Sequence, residues 1–376
     1  MRFEVSRVLD AIEARLTLDP ALARAVVDLA ELVRLADLDR DAGRAASLLR
    51  LGHVLDALGR HLAEDGVAVY VVVARSLLSD VDLSSNERMV VRRWADDGLV
   101  EVLATEAMAG SGADPADRVL EVAELLAVPV LSRRRFPEYA QRYRWLPRGL
   151  LAPAAAGLST VGEGLPGPAG TPVLTRVWRC PEPACAGFGA PAAAGGSAPI
   201  TPAGGQPPPR LRAAAPTCPR HGTRLTDAGP RPPARVLAVR VDGAVRGRFA
   251  VREAAPVRVG RFPAGADGAG GAGSVVTLGP LLSEEAGRWI SRSHLRLELR
   301  GAALVVTDTS TNGTSVRTPG GPVPLHTGQA YGLGDDDVIE LYQGVELGRP
   351  TRFQGGAARP ASVMADAPTV SIRLPR

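Results

Sequence analysis

Residues 257–341 decide the fold of this chain, and they contain three short blocks: Val257-Arg258-Val259-Gly260-Arg261, Trp289-Ile290-Ser291-Arg292-Ser293-His294-Leu295 and Asp308-Thr309-Ser310-Thr311-Asn312-Gly313-Thr314. Each block is a loop beside a predicted strand. Residues 295–299 alternate apolar and polar, and residues 303–307 form a β-branched run that leads into an Asn-Gly turn. Both patterns are typical of β-sandwich strands. The loops supply a guanidinium, hydroxyls and an amide, which are the groups that hold a phosphate dianion and an extended peptide.

The order, spacing and residue types of these blocks resemble a forkhead-associated (FHA) domain. The resembling features are Gly260-Arg261, Ser291-x-x-His294, Ser310-Thr311-Asn312-Gly313-Thr314, and Gly334-Asp335 before the apolar stretch 338–341. The resemblance implies an all-β sandwich over residues 234–350 that binds phosphothreonine peptides through loops at one end, without catalysis. It also implies a Ser/Thr protein kinase as the upstream partner that phosphorylates the ligand.

The resemblance assigns ligand contacts to single residues. Arg261 and Ser291 would contact the phosphate, and Thr311 would add a hydroxyl. Arg292 would line the same pocket, and Asn312 would hold the ligand backbone. Because a charge-assisted hydrogen bond contributes roughly 1.5–3 kcal/mol, substitution of Arg261 or Ser291 should abolish binding.

The resemblance also assigns supporting roles. Gly260 and Gly313 would stand where a turn excludes a Cβ, and His294 would brace the Ser291 loop. Arg288 lies where the family often reads the third residue after the phosphothreonine, and an arginine there favours an acidic residue. The alternative is a sandwich whose loops are merely polar and bind no ligand.

Glycine and proline are concentrated in parts of the chain, which predicts several domains. The 376 residues include 42 Gly and 32 Pro, which cluster between about 150 and 233 and again near 265–273. We predict an α/β domain over residues 1–146, a Pro/Gly/Ala-rich linker over 147–233, the sandwich over 234–350 and a disordered tail over 351–376.

Composition excludes several classes of protein. The net charge of +4 is small, and the sequence has no stripe of arginines with interleaved aromatics of the kind that binds nucleic acid. No apolar run approaches the roughly 18–20 residues of a membrane span, and the amino terminus does not resemble a secretory signal. Three cysteines cannot form a paired disulfide framework, which favours a cytoplasmic protein. All basic residues are arginine, which suggests the GC-rich genome of a bacterium.

The first 146 residues alternate helical and strand-like patterns. Residues 67–73, 99–103 and 128–131 read as strands, and the first of these is a β-branched run of the kind buried on both faces. Ser84-x-x-Glu87 is a capping box, and Asp114-Pro115 starts another helix. Strands separated by helices predict a parallel α/β sheet.

Four acids follow predicted strands of this sheet: Asp28, Glu31, Asp114 and Asp117. Chemistry in such sheets lies past the carboxyl ends of the strands. The layout resembles the NYN/PIN-like ribonucleases, in which carboxylates bind Mg²⁺ and activate water against an RNA phosphodiester. In place of the family's Ser-Asn-Asp, however, this chain has Ser132-Arg133-Arg134, which puts positive charge where the metal would lie.

The family's other motifs also depart, with Asp28-Leu29-Ala30-Glu31 in place of Asp-Gly-x-Asn and Ala116-Asp117 in place of paired acids. We therefore predict a degenerate nuclease in which Arg134 pairs with Asp28 or Asp117 instead of a metal. Two alternatives stay open. The domain is an unrelated α/β scaffold whose acids are helix caps and surface residues, or it is an active Mg²⁺-dependent ribonuclease.

The predicted linker carries two ligand pairs, Cys180-x4-Cys185 and Cys218-x2-His221. Together they provide the four soft ligands that tetrahedral zinc needs, as in a zinc ribbon. Because four protein ligands leave no open position, such a zinc would be structural and would help to fold a segment with little core. The alternative is three unrelated thiols in a disordered linker.

The tail contains Thr369 within Asp366-Ala367-Pro368-Thr369-Val370, and a phosphorylated Thr369 could bind the chain's own pocket. Ile372 at the third following position does not suit Arg288. The sequence as a whole predicts a phosphothreonine-binding adaptor with no catalysis. The competing class is a ribonuclease that the sandwich brings to its target, with RNA as a possible but less favoured partner.

Overall fold

The computed structural model describes residues 2–38, 44–103, 114–162, 164, 172–185, 187–189, 206–213, 215–253, 255–263, 274–350 and 362–364, with side chains from residue 6 onward. Thr369 and the predicted self-binding segment around it lie outside these residues. Within them, no helix is both long enough and apolar enough to span a membrane.

The amino-terminal part is a helix-flanked sheet. Its helices are α1 (Arg2–Glu13), α2 (Leu29–Leu32), α3 (Leu49–Leu62), α4 (Ser85–Asp96) and α5 (Pro115–Leu126). Its strands are β1 (Ala23–Asp28), β2 (Ala68–Val73), β3 (Glu101–Val102), β4 (Val130–Leu131), β5 (Leu150–Ala154) and β6 (Gly157–Thr160). The strand order is β3-β2-β1-β4-β5-β6, in which β6 is antiparallel and the other strands are parallel.

Both faces of this sheet are covered, which explains its continuous apolar strands. In β1, Val27 belongs to the hydrophobic core on one side and Val26 to the core on the other side. The predicted capping box is present at the start of α4, where Ser84 and Glu87 exchange hydrogen bonds. The assignment of this sheet to the NYN/PIN-like class stays a prediction.

The sheet continues beyond the predicted boundary at residue 146. Leu150 and Leu151 of β5 are buried and pair in parallel with Val130 and Leu131 of β4. Strands β5 and β6 are short and lie among Ala, Pro and Gly residues, so their composition resembles a linker although they complete the sheet.

The middle segment holds β7 (Arg176–Arg179), β8 (Arg210–Arg212), β9 (Ala215–Thr217) and β10 (Thr226–Pro230). Strand β7 pairs with β10, and β8 pairs with β9 as a hairpin. Between them lies a small buried cluster of the three cysteines with Phe188 and Leu225. The described part of this segment is therefore folded, whereas the sequence predicted mostly linker.

The carboxyl-terminal part is a sandwich of two sheets. Its strands are β11 (Ala234–Val241), β12 (Ala244–Arg252), β13 (Val257–Gly260), β14 (Ser274–Thr277), β15 (Leu295–Arg300), β16 (Ala303–Asp308), β17 (Ser315–Thr318), β18 (Gly321–Pro324), β19 (Ala330–Leu333), β20 (Val338–Tyr342) and β21 (Val345–Gly348). One sheet has the order β12-β11-β21-β20-β17-β18 and the other the order β14-β13-β15-β16-β19. A short helix, α6 (Glu284–Trp289), precedes β15. The inward-facing residues of both sheets form one core.

The edge strand β12 of the sandwich packs against the amino-terminal domain. The Asp65 amide donates to the Val245 carbonyl at 2.7 Å, and Arg248 and Arg246 form ion pairs with Glu64 and Asp65. An unpaired edge strand exposes backbone groups that attract other chains. This contact covers part of that edge and joins the two domains.

Candidate functional site

Three loops of the sandwich meet around Ser291. Arg261 follows β13, and its amide donates to the Ser291 carbonyl at 3.0 Å. Thr311 lies between β16 and β17, and its amide donates to Ser291 Oγ at 3.1 Å. The three blocks, which are separate along the chain, thus form one cluster of loop residues. This cluster, with Arg292 and Asn312, is called the loop pocket below.

Within the described residues, the Arg261 guanidinium is held by one hydrogen bond. Its Nη1 donates to the Gly287 carbonyl at 2.5 Å, and the side chain is half-buried. Its Nε–H is buried and has no hydrogen-bond partner among the described residues. Because buried polar groups are normally hydrogen-bonded, the guanidinium has donor capacity for an anion.

His294 braces the Ser291 loop from inside the domain. Its Nδ1 accepts a hydrogen bond from the Ser291 amide at 3.0 Å, and its own amide donates to the Val259 carbonyl at 2.8 Å. The imidazole is fully buried, and this burial lowers its pKa against the attraction of Asp308. A neutral ring can accept the Ser291 hydrogen bond, as the predicted structural role requires.

The two glycines that were predicted to be structural are needed for different physical reasons. A Cβ on Gly260 would lie 2.2 Å from the Arg292 carbonyl oxygen and 2.9 Å from the His294 amide nitrogen. Gly313 has a positive φ of 90°, which side chains disfavour. Gly260 therefore permits a close approach of two backbones, and Gly313 permits the turn after Asn312.

The turn that presents Thr311 and Asn312 depends on Asp308, which sequence reasoning missed. Asp308 Oδ1 accepts from the Ser310 amide at 2.8 Å and from Thr314 Oγ1 at 3.0 Å, inside the domain. The Asp-x-Ser spacing of an Asx turn was the available signal. Asn312 Nδ2 donates to the Trp289 carbonyl at 2.7 Å, which orients its amide at the surface.

Two arginines are exposed here, Arg292 in the loop pocket and Arg288 near it. Arg292 lies between Ser291 and His294, and its guanidinium forms no ion pair within the described part of the chain. Arg288 lies in the last turn of α6, with its side chain 77% exposed, and pairs with Glu284 one turn earlier. Such an exposed pair contributes little to stability, so Arg288 is available to a ligand.

An open groove borders the loop pocket. It has a volume of about 500 Å³ and is lined by Trp289, Asn312, Glu340 and Tyr342 among others. The Trp289 and Tyr342 rings lie 6.0 Å apart. Asn312 therefore belongs both to the loop pocket and to the lining of this groove.

The four predicted zinc ligands come together in the middle segment. Their ligand atoms lie within 4.8 Å of one another. His221 Nδ1 is 3.5 Å from the sulfurs of Cys180 and Cys218, and Cys185 Sγ is 3.7 Å from Cys218 Sγ. The three thiols are buried, so the chemistry of the donor set fits a closed tetrahedral zinc site.

The cluster favours the ionised sulfur that metals bind. The hydrogen bond between the Cys185 and Cys218 sulfurs lowers the pKa of the Cys185 thiol to about 5, although burial opposes the change. Metal ligation requires thiolates. Ionisation of Cys185 is thus favoured within the cluster.

The middle segment is bound to α5 by a buried polar network. Arg118 is fully buried and donates to Glu101 at 2.6 Å and to the carbonyl of Pro208 at 2.6 Å. Arg210 in β8 pairs with Asp117 at 2.9 Å. Since β8 and β9 form the hairpin that ends at Cys218, the cysteine cluster and α5 share one packed unit.

Within the described residues, the four candidate acids of the amino-terminal domain do not form a group of three spaced to hold a metal. Asp28 caps α2, Asp114 caps α5, and Glu31 accepts from Ser132 Oγ at 2.7 Å. Burial raises the pKa of Asp28 to about 6. Within the described residues, the cysteine cluster is the only group of His, Cys, Asp or Glu spaced to hold a metal.

The predicted pairing of Arg134 with Asp28 or Asp117 is wrong. Arg134 pairs with Glu138, four residues later, at 2.9 Å. Its charge opposes the rise in the pKa of Asp28, but the two side chains form no ion pair within the described residues. Asp117 pairs instead with Arg142 at 2.6 Å and with Arg210. Two arginines therefore neutralise Asp117, but neither is the predicted Arg134, and both come from later segments that the sequence did not connect to α5.

Comparison with solved structures finds similarity in the carboxyl-terminal region. No family model matches the chain, and no curated protein matches it. Similar solved structures are FHA domains. An FhaA FHA domain in complex with the intracellular domain of Rv3910 is 27% identical, with 30% of this chain and 97% of that one covered and a TM-score of 0.20.

Two further FHA structures are similar. One, described in terms of phosphothreonine-dependent FHA domain interactions, is 25% identical and covers 30% of this chain and 93% of its own, with a TM-score of 0.20. The FHA domain of an Arabidopsis thaliana protein is 24% identical and covers 34% of this chain and 90% of its own, with a TM-score of 0.23.

Proposed function

We propose that this chain is an adaptor that binds phosphothreonine peptides through the loop pocket of its carboxyl-terminal sandwich. The observation that carries the proposal is the double hydrogen bonding of Ser291. Its carbonyl holds the Arg261 loop and its hydroxyl holds the Thr311 loop, so one guanidinium and two hydroxyls belong to one cluster.

The chemistry of the loop pocket suits a phosphorylated threonine. A phosphate carries about −1.5 to −2 charge at neutral pH and three acceptor oxygens. Arg261 supplies a guanidinium with donor capacity, and Ser291 and Thr311 supply hydroxyls. The threonine methyl adds only about 0.8 kcal/mol of apolar burial, so the phosphate provides most of the affinity and the methyl selects threonine over serine.

Calorimetric titration of the full chain tests this function. The ligands are a degenerate phosphothreonine peptide pool and its unphosphorylated counterpart. We expect phosphate-dependent binding that Arg261→Ala removes. Arg317→Ala is the matched control, because Arg317 pairs with Glu346 on the sheet and is not in the loop pocket. Equal binding of both pools, or of neither, would refute the proposal.

The partner implied by this function is a protein phosphorylated on threonine by a Ser/Thr kinase in the cytoplasm. Arg288 would favour an acidic residue at the third position after the phosphothreonine. Because Arg288 is exposed and pairs with Glu284 alone among the described residues, its replacement by alanine should reduce that preference without removing phosphate-dependent binding. Peptide pools that differ only at this position measure the effect.

We also propose that the cysteine cluster binds one structural Zn²⁺ ion through Cys180, Cys185, Cys218 and His221. The mutual spacing and burial of the four ligands support this proposal. Elemental analysis of the purified chain should give one zinc per chain, and Cys185→Ser should lower that ratio. A chain that folds and contains no zinc would contradict the assignment.

For the amino-terminal domain we propose a non-catalytic, degenerate nuclease-like role. Support comes from the separate engagement of its acids: Asp117 pairs with two arginines, and Glu31 accepts from Ser132. The runner-up is a metal-dependent ribonuclease that the sandwich directs to RNA. Cleavage of RNA by the full chain with Mg²⁺ or Mn²⁺, lost in Asp28→Asn and retained in Arg261→Ala, would establish the runner-up instead.

A further inference from the structure

The last described segment, residues 362–364, lies on the amino-terminal domain. Asp56 on α3 accepts three hydrogen bonds from it, from Ser362 Oγ at 2.5 Å, from the Val363 amide at 2.6 Å and from the Met364 amide at 3.3 Å. One carboxylate thus binds a hydroxyl and two consecutive backbone amides. This is the recognition of a peptide backbone rather than a single surface ion pair.

The side chains of the segment also have defined places. Val363 is 9% exposed and belongs to the same hydrophobic core as α1 and α3. Met364 lies over Gly52, where a Cβ would be 2.4 Å from the Met364 sulfur and 3.3 Å from Ile12 Cδ1. The apolar residues therefore fill a notch between the two helices.

Gly52 is otherwise unfavourable at its position. It lies inside α3, where glycine costs roughly 0.5–1 kcal/mol relative to alanine. Its backbone is helical, so no positive φ requires a glycine. The room that it leaves for Met364 gives a physical reason for its presence.

We propose that Asp56, Gly52 and Ile12 form a binding site for a short peptide with a hydroxyl residue followed by two apolar residues, and that its occupant is this chain's own residues 362–364. Residues 351–361 connect the segment to the sandwich. A short tether gives effective concentrations of roughly millimolar. Three residues, which bind only weakly as a free peptide, can therefore stay bound within one chain.

The site is sensitive to negative charge. Ser362 is exposed, and its hydroxyl donates to Asp56. A phosphate on Ser362 would remove this donor and place about −1.5 to −2 charge against the Asp56 carboxylate. Ser362 is therefore the position at which phosphorylation releases the tail from α3. This inference does not depend on the function of the loop pocket.

Hydrogen exchange of the full chain, followed by mass spectrometry, tests the proposal because the Val363 and Met364 amides are themselves bonded to Asp56. We expect Asp56→Ala and Gly52→Leu to raise exchange at these amides at least tenfold. Asp10→Ala is the matched control, since Asp10 is a largely exposed aspartate on α1. Unprotected amides in the unaltered chain, or protection that persists in Asp56→Ala, would overturn the proposal.

Two further experiments test separately the effect of charge at Ser362 and whether the bound segment comes from the same chain. Ser362→Thr keeps the hydroxyl and should keep the protection, whereas Ser362→Asp should lose it. Equal protection in these two variants would refute the charge sensitivity. Protection that grows with protein concentration would show that a second copy supplies the segment, and would refute binding within one chain.

Discussion

Replacement of Arg261 by alanine tests the chemistry of the loop pocket most directly. The guanidinium is anchored by one bond to the Gly287 carbonyl, and its buried Nε–H has no partner in the described residues. Each charge-assisted hydrogen bond to a phosphate contributes about 1.5–3 kcal/mol. At 1.4 kcal/mol per tenfold change in Kd, loss of one such bond weakens phosphopeptide binding about 10- to 150-fold.

The same substitution should affect folding much less. It removes the bond to Gly287, and an ordinary hydrogen bond contributes only about 0.5–1.5 kcal/mol to stability. Isothermal titration at constant salt measures the Kd, and thermal unfolding of the same sample checks the fold. Arg261→Lys should lie between, because lysine keeps the charge but lacks the planar fork. A Kd for Arg261→Ala within twofold of that for Arg317→Ala would refute the assignment.

Three further predictions concern other parts of the molecule. Gly260→Ala should abolish phosphopeptide binding measured by titration, because the added Cβ would lie 2.2 Å from the Arg292 carbonyl oxygen and would displace it. Burial raises the pKa of Asp28 from 3.8 to about 6, so its contribution to stability falls as pH rises from about 4 through 6. At 1.36 kcal/mol per pKa unit, Asp28→Asn should therefore stabilise the chain by up to about 3 kcal/mol more at pH 7 than at pH 4. Thermal unfolding at both pH values measures this difference. Zinc removal by a chelator should raise hydrogen exchange in residues 206–213, which the β8–β9 hairpin links to the cysteine cluster.

The sequence was informative where the chemistry is local. Gly260, Ser291, His294 and Asn312 act within three short loops, and the spacing inside each loop already reflects its hydrogen bonds. The capping box at Ser84 is local in the same sense. The spacing of the two ligand pairs also predicted that the three cysteines and His221 lie together, because paired soft ligands are typical of zinc sites.

The sequence was uninformative where partners are far apart along the chain. Arg118 donates to the Pro208 carbonyl across ninety positions, and no local pattern marks either residue. The Ala- and Pro-rich stretch around β5 resembles a linker, yet Leu150 is buried because β4 offers it an adjacent strand. The prediction that Arg134 pairs with Asp28 or Asp117 failed for the same reason, because only the fold brings Arg210 to Asp117.

The buried network on α5 shows why the middle segment should not be treated as a flexible connection. Arg118 uses separate donors for Glu101, Glu121 and the carbonyls of Pro208 and Pro209, which requires the spread geometry of a guanidinium. A lysine has one nitrogen and could not reach all of these acceptors. Without the middle segment, Arg118 would exchange two carbonyl partners for water, and a hydrogen bond to a charged group contributes about 1.5–3 kcal/mol. Detachment of residues 206–213 should therefore destabilise the amino-terminal domain itself. We expect the proposed metal binding at the cysteine cluster to be coupled to folding of the α/β sheet through Arg118 and Arg210.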